Sequence, residues 1–384
     1  MKKLPNFDAM LSHLVSEPSV SSVSPDIDRS NLRVLEHLAN WLDGLGFATE
    51  LMPLPNRPDK ANLMATLGSG PGGLVLAGHT DTVPCDEALW ESDPFAIKET
   101  DTRYYGLGSC DMKGFFPVAL QAAAAIDAKK LVAPITLIAT SDEESSMAGG
   151  RYLLEQGRPK ADYAIIGEPT GLKPIFAHKG VAMLTISVQG ASGHSSDPSL
   201  GSNALDAMHA IMQELINLRL RLSQTFNNPH FDVAEPTLNL GCLHAGDNPN
   251  RICGHAELQF DLRLLPGMDA DIICGDIEKI VAVVGERHGV VAKFMPIYPP
   301  IPAFETPQSS ALLQTLSNCS GQTGGTVAFG TEAHFYQSLG METIVFGPGS
   351  IDQAHQPNEY LPKEQVEAAQ QALITAIQRF CMQP

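Results

Sequence analysis

Several marks of common protein classes are missing from this sequence. Its seven cysteines (Cys85, Cys110, Cys242, Cys253, Cys274, Cys319 and Cys381) are scattered and form no CxxC pair, which argues against a disulfide framework and against a thiolate zinc site. Basic residues are scarce: 25 stand against 43 acidic ones, for a formal charge of −18. Nucleic acid and anionic membranes are therefore not expected partners, since both need a basic patch to displace counterions. No run of 18 apolar residues occurs, and the opening stretch has two lysines but no unbroken apolar segment before a small-residue cleavage site. Neither a membrane span nor a signal peptide is expected, and the expected compartment is the cytosol. Internal repeats and low-complexity segments are absent, as are the G-x-S-x-G serine signature and the usual glycine-rich nucleotide loops.

What is present suits a chain that folds around a full core. The 384 residues give room for two domains, and 43% apolar against 18% charged residues can bury a full core. Leu32, Leu35, Leu38, Trp41, Leu42 and Leu45 recur at helical spacing up to Gly46. Short apolar runs at 61–67, 74–77, 135–140 and 163–166 alternate with helix-like stretches at 114–126 and 148–154. That alternation predicts an α/β fold, with a mostly parallel sheet and helices on both faces. The middle of the chain reads strand 181–189, helix 204–222, strands 237–243 and 256–264, helix 270–284 and strand 290–294. This β-α-β-β-α-β order spans about 110 residues and predicts an inserted α+β domain. Expected boundaries are 1–179 with 292–384 for a discontinuous catalytic domain, and 180–291 for the insertion.

The polar residues that could do chemistry lie where predicted buried strands end. His79 and Asp81 follow the run 74–78, and Asp81 is within reach to accept the second ring N–H of His79. Asp111 lies in the turn 106–114, where it either presents a carboxylate or simply caps the next helix. Asp142, Glu143 and Glu144 end another strand, and adjacent carboxylates repel unless a cation neutralises them. Glu168 ends a further strand, and His355 follows the glycine turn 347–349. Two histidines and several carboxylates, with no cysteine, suit a pair of divalent ions such as Zn²⁺ or Co²⁺. Paired ions lower the pKa of a shared water towards ~7, and a free carboxylate must then take its proton. Of Glu143 and Glu144, one would bind and the other would transfer protons.

The strings GHTDTVP (78–84), GLGSCDMKG (106–114), TSDEES (140–145), GEPT (167–170) and AHQPNE (354–359), in this order, resemble the M20 family of dinuclear zinc amidohydrolases and peptidases. The resemblance implies His79 and Glu168 on one metal, Glu144 and His355 on the other, and Asp111 bridging the two. It further implies Glu143 as general base, Asp81 as the partner of His79, and a cis bond between Asp111 and Met112. The insertion resembles the family's dimerisation lid and so implies a homodimer. The segment 192–196 of that lid resembles the one whose histidine, here His194, reaches the partner subunit's site and stabilises the tetrahedral oxyanion there.

Segments outside the ligands, at 238–241, 245–253, 330–333 and 346–350, resemble the branch of the family that removes the acetyl group from N2-acetyl-L-ornithine, a step of arginine biosynthesis. Arg251 and Cys253 stand where the wider family usually has an apolar residue and a proline. Asn250 and Arg263 are then expected to hold the substrate α-carboxylate, with Arg251 a further candidate. Glu332 is expected to favour the ornithine cation, and Gly347 to lie along the substrate. The alternatives are a succinyl-diaminopimelate desuccinylase, another acyl-amino-acid hydrolase of the family, or a metal-binding scaffold without catalysis.

Overall fold

The computed structural model describes residues 4–382 and divides the chain into two compact units. Among the described residues, one comprises 4–176, 306–325 and 331–382, and the other 177–305 and 326–330.

In the first unit the strand Leu74–His79 lies between two parallel neighbours, Ile135–Thr140 and Tyr163–Ile166, and Glu342–Val345 adds a fourth in parallel. Antiparallel strands Arg57–Leu67 and Ala48–Leu54 extend one margin, and Ile175 pairs antiparallel with Val345 at the other. Every residue of Leu74–His79 and Ile135–Thr140 is buried, as both faces of such strands must be covered. Helices Phe7–Val15, Leu32–Gly44, Phe115–Ala124, Ala311–Ser320 and Lys363–Cys381 pack as one group, and Ala148–Gln156 with Ala333–Ser338 as another. The α/β fold with a mostly parallel sheet is thus as the sequence predicts, the antiparallel pairs being confined to the margins. A small antiparallel sheet of Lys98–Glu99, Arg103–Tyr105 and Tyr360–Pro362 ties the far end of the chain to the segment before Gly106.

The second unit has an antiparallel sheet in the order Thr237–Ala245, His255–Leu264, Gly180–Gln189, Val291–Pro296. Helices Ala204–Thr225 and Ala270–His288 complete the β-α-β-β-α-β order. Leu184, Ile186 and Val188 alternate inward and are fully buried against Met208, Ile211, Leu215, Ile277 and Val281 from the two helices. Both helices begin with an aspartate or asparagine cap: Asn203 accepts from the N–H groups of Leu205 and Asp206, and Asp269 from those of Asp271 and Ile272. The strand Val291–Pro296 pairs along Gly180–Gln189, so a boundary at residue 292 would cut a hydrogen-bonded pair.

Candidate metal centre

Parallel pairing brings the chemistry to one edge of the first unit's sheet. His79 is in register with Thr140, and Ala77 with Ile166, so the turns that follow these strands leave the sheet together. His79, the 141–146 turn and Glu168 all lie at that carboxyl edge, where open α/β sheets place their sites. Asp111 precedes the helix Phe115–Ala124, and its bond to Met112 is cis. His355 follows the short turn of helix Ile351–Gln353 with φ 60°.

Asp111 is the centre of the cluster. Its Oδ1 lies 3.1 Å from His79 Nε2, and Glu168 Oε2 lies 3.9 Å from the same nitrogen. Its Oδ2 lies 3.7 Å from His355 Nε2, which is 3.0 Å from Glu144 Oε2. One carboxylate thus faces an imidazole–carboxylate pair on each side. Donor atoms of His79, Asp111 and Glu144 all fall within 4.8 Å of one another, close enough to hold one ion.

The donor chemistry fits divalent cations. His79 Nδ1–H donates to the Asp81 carbonyl oxygen at 3.0 Å. A carbonyl only accepts, so the proton of a neutral ring sits on Nδ1 and the Nε2 lone pair faces Asp111. A lone pair against a carboxylate is repulsive unless a proton or a metal ion lies between them. The expected contact from the Asp81 carboxylate is therefore corrected: the main chain of Asp81 orients the ring. Its carboxylate Oδ2 instead accepts from the Glu144 N–H at 3.0 Å, while Oδ1 lies 3.8 Å from Nδ1.

The charges in this cluster distort one another's titration. Burial and neighbouring carboxylates push the Glu168 and Glu143 carboxyls far above the ordinary range, against the pull of His79. Glu144 is raised too, by burial and then by Asp111, with His355 pulling the other way. Burial acts on Asp111 in the same direction, but its hydrogen bond with His79 and the charges of both histidines outweigh it and hold the group low. Burial opposes charge on His79, yet the Asp111 hydrogen bond and three carboxylate charges together raise it well above the usual imidazole value. His355 is raised chiefly by its hydrogen bond with Glu144. A site that crowds this much negative charge is suited to cations.

The turn carrying Glu143 and Glu144 is held from below by residues with no distinctive sequence signature. Asp142, at φ 58°, accepts from the fully buried Lys60 at 2.7 Å and from Ser21 Oγ at 2.9 Å. Lys60 also donates to Asp28 at 3.0 Å. The only available signal was a lysine directly ahead of the apolar run 61–67.

Two of the expected substrate contacts, Glu332 and Gly347, have polar groups engaged within the first unit. Glu332 is 1% exposed and its Oε2 accepts from Thr140 Oγ1 at 2.8 Å, which sets it beneath the strand end. Burial, only partly offset by that hydrogen bond, pushes its carboxyl up to about 7. Gly347 is buried, with its N–H donating to Thr170 Oγ1 and its carbonyl accepting from Leu172 N–H. A Cβ there would lie 2.4 Å from the Gly167 oxygen and 2.6 Å from that of Glu168. Gly347 therefore permits the close approach that seats the Glu168 turn, and its polar groups are already engaged.

Within the second unit, His194 and Arg251 form a bridge pair, and the Ser195 N–H donates to the Asn250 carbonyl at 3.1 Å. His194 is exposed, and its Nδ1 accepts from the Ser196 N–H at 3.2 Å. That bond puts the proton of the neutral ring on Nε2, leaving an outward donor. Arg251 pairs with Asp247 at 2.5 Å. Arg263 stands apart from these three, paired with Asp261 at 2.9 Å and donating to the Ala328 carbonyl.

Glu359 has no assigned role in the sequence reading, although it closes the string 354–359. It is 2% exposed, and its carboxylate accepts from three main-chain N–H groups, those of Gly108, Cys110 and Asp111. Burial and the Asp111 charge push its carboxyl up to about 8 while those N–H groups pull it down.

A parallel-sheet unit with a two-sided cluster of imidazoles and carboxylates at its strand ends defines a class of metal-dependent hydrolase. The family model described as Peptidase family M20/M25/M40 matches residues 75–379, and the chain belongs to this family. The acetylornithine deacetylase of Pasteurella multocida is 44% identical over 381 residues, covering 99% of this chain and 100% of that one. The acetylornithine deacetylase of Photorhabdus laumondii is 43% identical over 380 residues, covering 99% and 98%. Among solved structures, a tripeptidase from Staphylococcus aureus superposes with TM-score 0.74 at 17% identity, covering 98% of this chain and 100% of that one. A dinuclear metal binding peptidase of the M20 family from Bacillus subtilis gives TM-score 0.68 at 16% identity, covering 97% of each chain. At such identities the structures speak for the fold alone.

Proposed function

We propose that the chain hydrolyses the acetamide of N2-acetyl-L-ornithine to L-ornithine and acetate, at a centre of two divalent ions. The metal reading is carried by one observation: the two oxygens of Asp111 face separate imidazole–carboxylate pairs. The substrate is supported by full-length identity of 44% to a relative named for that activity. His79 and Glu168 would hold one ion, Glu144 and His355 the other, and Asp111 both. Nitrogen and oxygen donors without thiolate suit Zn²⁺ first and Co²⁺ next. Ions held there supply Lewis-acid chemistry, polarising an amide carbonyl and acidifying water.

The chain's own groups then do the following. Glu143, beside the cluster but outside either pair, takes the proton of the attacking water and returns it to the departing α-amine. The Asp81 carbonyl keeps the His79 ring turned so that Nε2 faces inward. His194 would reach the centre of the partner subunit and offer its Nε2–H to the oxyanion developing there. Asn250, Arg251 and Arg263 remain the candidates for the substrate carboxylate, the two arginines by exchanging an acidic partner for it.

A panel of acylated amino acids tests this reading, with released amine as the readout before and after chelation. Acetylornithine is expected to be turned over fastest and the chelated protein to be inactive. Faster release from succinyl-diaminopimelate would replace the proposed substrate, and undiminished turnover after chelation would remove the metals from the reaction.

The second unit resembles a dimerisation lid, and we assign the chain to a homodimer formed through it. Sedimentation equilibrium is expected to give twice the 41.1 kDa chain mass; a monomer mass at working concentration would reject the assignment. His194→Ala should lower kcat by roughly 10²–10³-fold with KM little changed, as for loss of one oxyanion donor. A variant with unaltered kcat would show that His194 has another role.

A further inference from the structure

The five strings that carry the family resemblance end on Glu359, and neither a ligand nor a base role uses it. Its surroundings give it a different one. Oε1 accepts from the Cys110 N–H at 2.7 Å and the Asp111 N–H at 2.9 Å, and Oε2 accepts from the Gly108 N–H at 2.8 Å. Its own carbonyl accepts from the Gly106 N–H at 3.1 Å. One buried residue therefore takes four N–H groups from the segment 106–111, the last of them belonging to Asp111 itself.

The pairing of the small sheet makes this possible. Tyr360 lies opposite Tyr105, which places Glu359 opposite the start of the 106–114 turn. That turn lies outside any helix or strand, with Gly108 at φ 75°, so repetitive secondary structure does not supply partners for its N–H groups. On the other side, Glu359 ends the segment that carries His355. That segment also departs from ordinary backbone, with His355 at φ 60° and Asn358 at φ 61°, and Asn358 Oδ1 accepts from the Glu91 N–H at 2.8 Å.

We propose that Glu359 is a positioning residue of the metal centre, locking the turn that carries Asp111 to the segment that carries His355 so that the two meet at a fixed separation. The inference rests on the two-ion reading above. Asp111 must serve both ions and His355 only one, so play between the two segments would open one side of the centre. A carboxylate suits the task because it presents acceptors at both oxygens. A glutamine keeps one acceptor and turns an N–H₂ donor towards a main-chain N–H.

The test compares metal binding, rather than turnover, in the full chain. Metal-free protein is titrated with Co²⁺, reading heat and the visible d–d bands, for wild type, Glu359→Gln and Glu359→Asp. Wild type is expected to take up two equivalents. The variants should keep the wild-type circular dichroism but bind Co²⁺ about 10–100-fold more weakly, the range typical of groups that orient ligands, with altered d–d bands. Folded variants with wild-type affinity and spectrum would overturn the proposal, since a purely structural role moves melting temperature and not the spectrum. A wild type that binds no Co²⁺ would instead overturn the two-ion reading itself.

Hydrogen exchange of the 106–114 peptide in unaltered protein decides the matter if neither variant folds. Protection of these amides that deepens on adding Co²⁺ is expected. Exchange at unstructured rates, with or without the metal, would show that the grip does not exist.

Discussion

Glu143→Gln is expected to cut turnover by about 10²–10⁴-fold, the usual contribution of a positioned acid–base group, while two equivalents of metal still bind. The expectation follows from how the acidic turn divides its labour. Glu144 is tied twice, through its carboxylate to His355 and through its N–H to Asp81 Oδ2. Asp142 is consumed below by Lys60 and Ser21. Glu143 sits between these anchored neighbours, with a carboxyl pushed well above the ordinary range by burial and by the charges of Glu168, Glu144 and Glu332. A raised carboxyl can accept a proton from water and still release it to an amine within one cycle. The glutamine is close to isosteric, so the turn should keep its shape, and kcat should fall with KM nearly constant. Wild-type turnover in a folded, metal-loaded Glu143→Gln protein would strip Glu143 of the role. Loss of metal along with activity would instead make it a ligand.

Much of this site could be read from the chain because buried parallel strands have a sharp ending. The runs at 74–77, 135–140 and 163–166 stop at polar residues, and parallel register lines those endings up. The helices and strands of the second unit were legible for a related reason: alternation and helical spacing are local, and Leu184, Ile186 and Val188 need only their own neighbours to be recognised. The first helix, Phe7–Val15, buries Phe7, Met10, Leu11, Leu14 and Val15 at the same helical spacing.

Contacts that depend on distant pairing were not legible. Whether Asp81 uses its carboxylate or its carbonyl depends on where Glu144 N–H arrives, and that depends on the neighbouring strand. Gly347 is identifiable as a turn residue, but only the structure shows the oxygens of Gly167 and Glu168 beneath it. Glu332 carries the charge expected of a cation contact and is nevertheless buried on Thr140. Glu359 lies some 250 residues along the chain from the amides it holds, a separation of 248 for Asp111. Sequence spacing reports neighbours along an element, and these contacts are made between elements.

Asp111→Asn should weaken Co²⁺ binding at both sites at once, by more than about 100-fold, the upper end of what orienting groups alone are worth. The argument is geometric: Oδ1 faces the His79 side and Oδ2 the His355 side, so an amide takes an acceptor from one ion and the shared negative charge from both. The same variant should abolish the pH dependence of metal stabilisation, whose sign is fixed by the titration shifts. Glu143, Glu144, Glu168, His79 and His355 are all raised in the fold. The metal-free native state therefore holds more protons than the unfolded chain, and these groups make it less stable as pH rises above their unfolded values. Asp111, held low, runs the other way and is outnumbered. Cations must displace those protons to bind, so affinity strengthens with pH. The melting-temperature gain of Co²⁺-loaded over chelated wild type should grow between pH 6 and pH 8, through the linkage of binding to stability. In Asp111→Asn that gain should stay near zero across the range. A variant that loses one ion and keeps the other at wild-type affinity would show that the carboxylate is not shared, and the centre would then be two separate sites rather than one bridged pair.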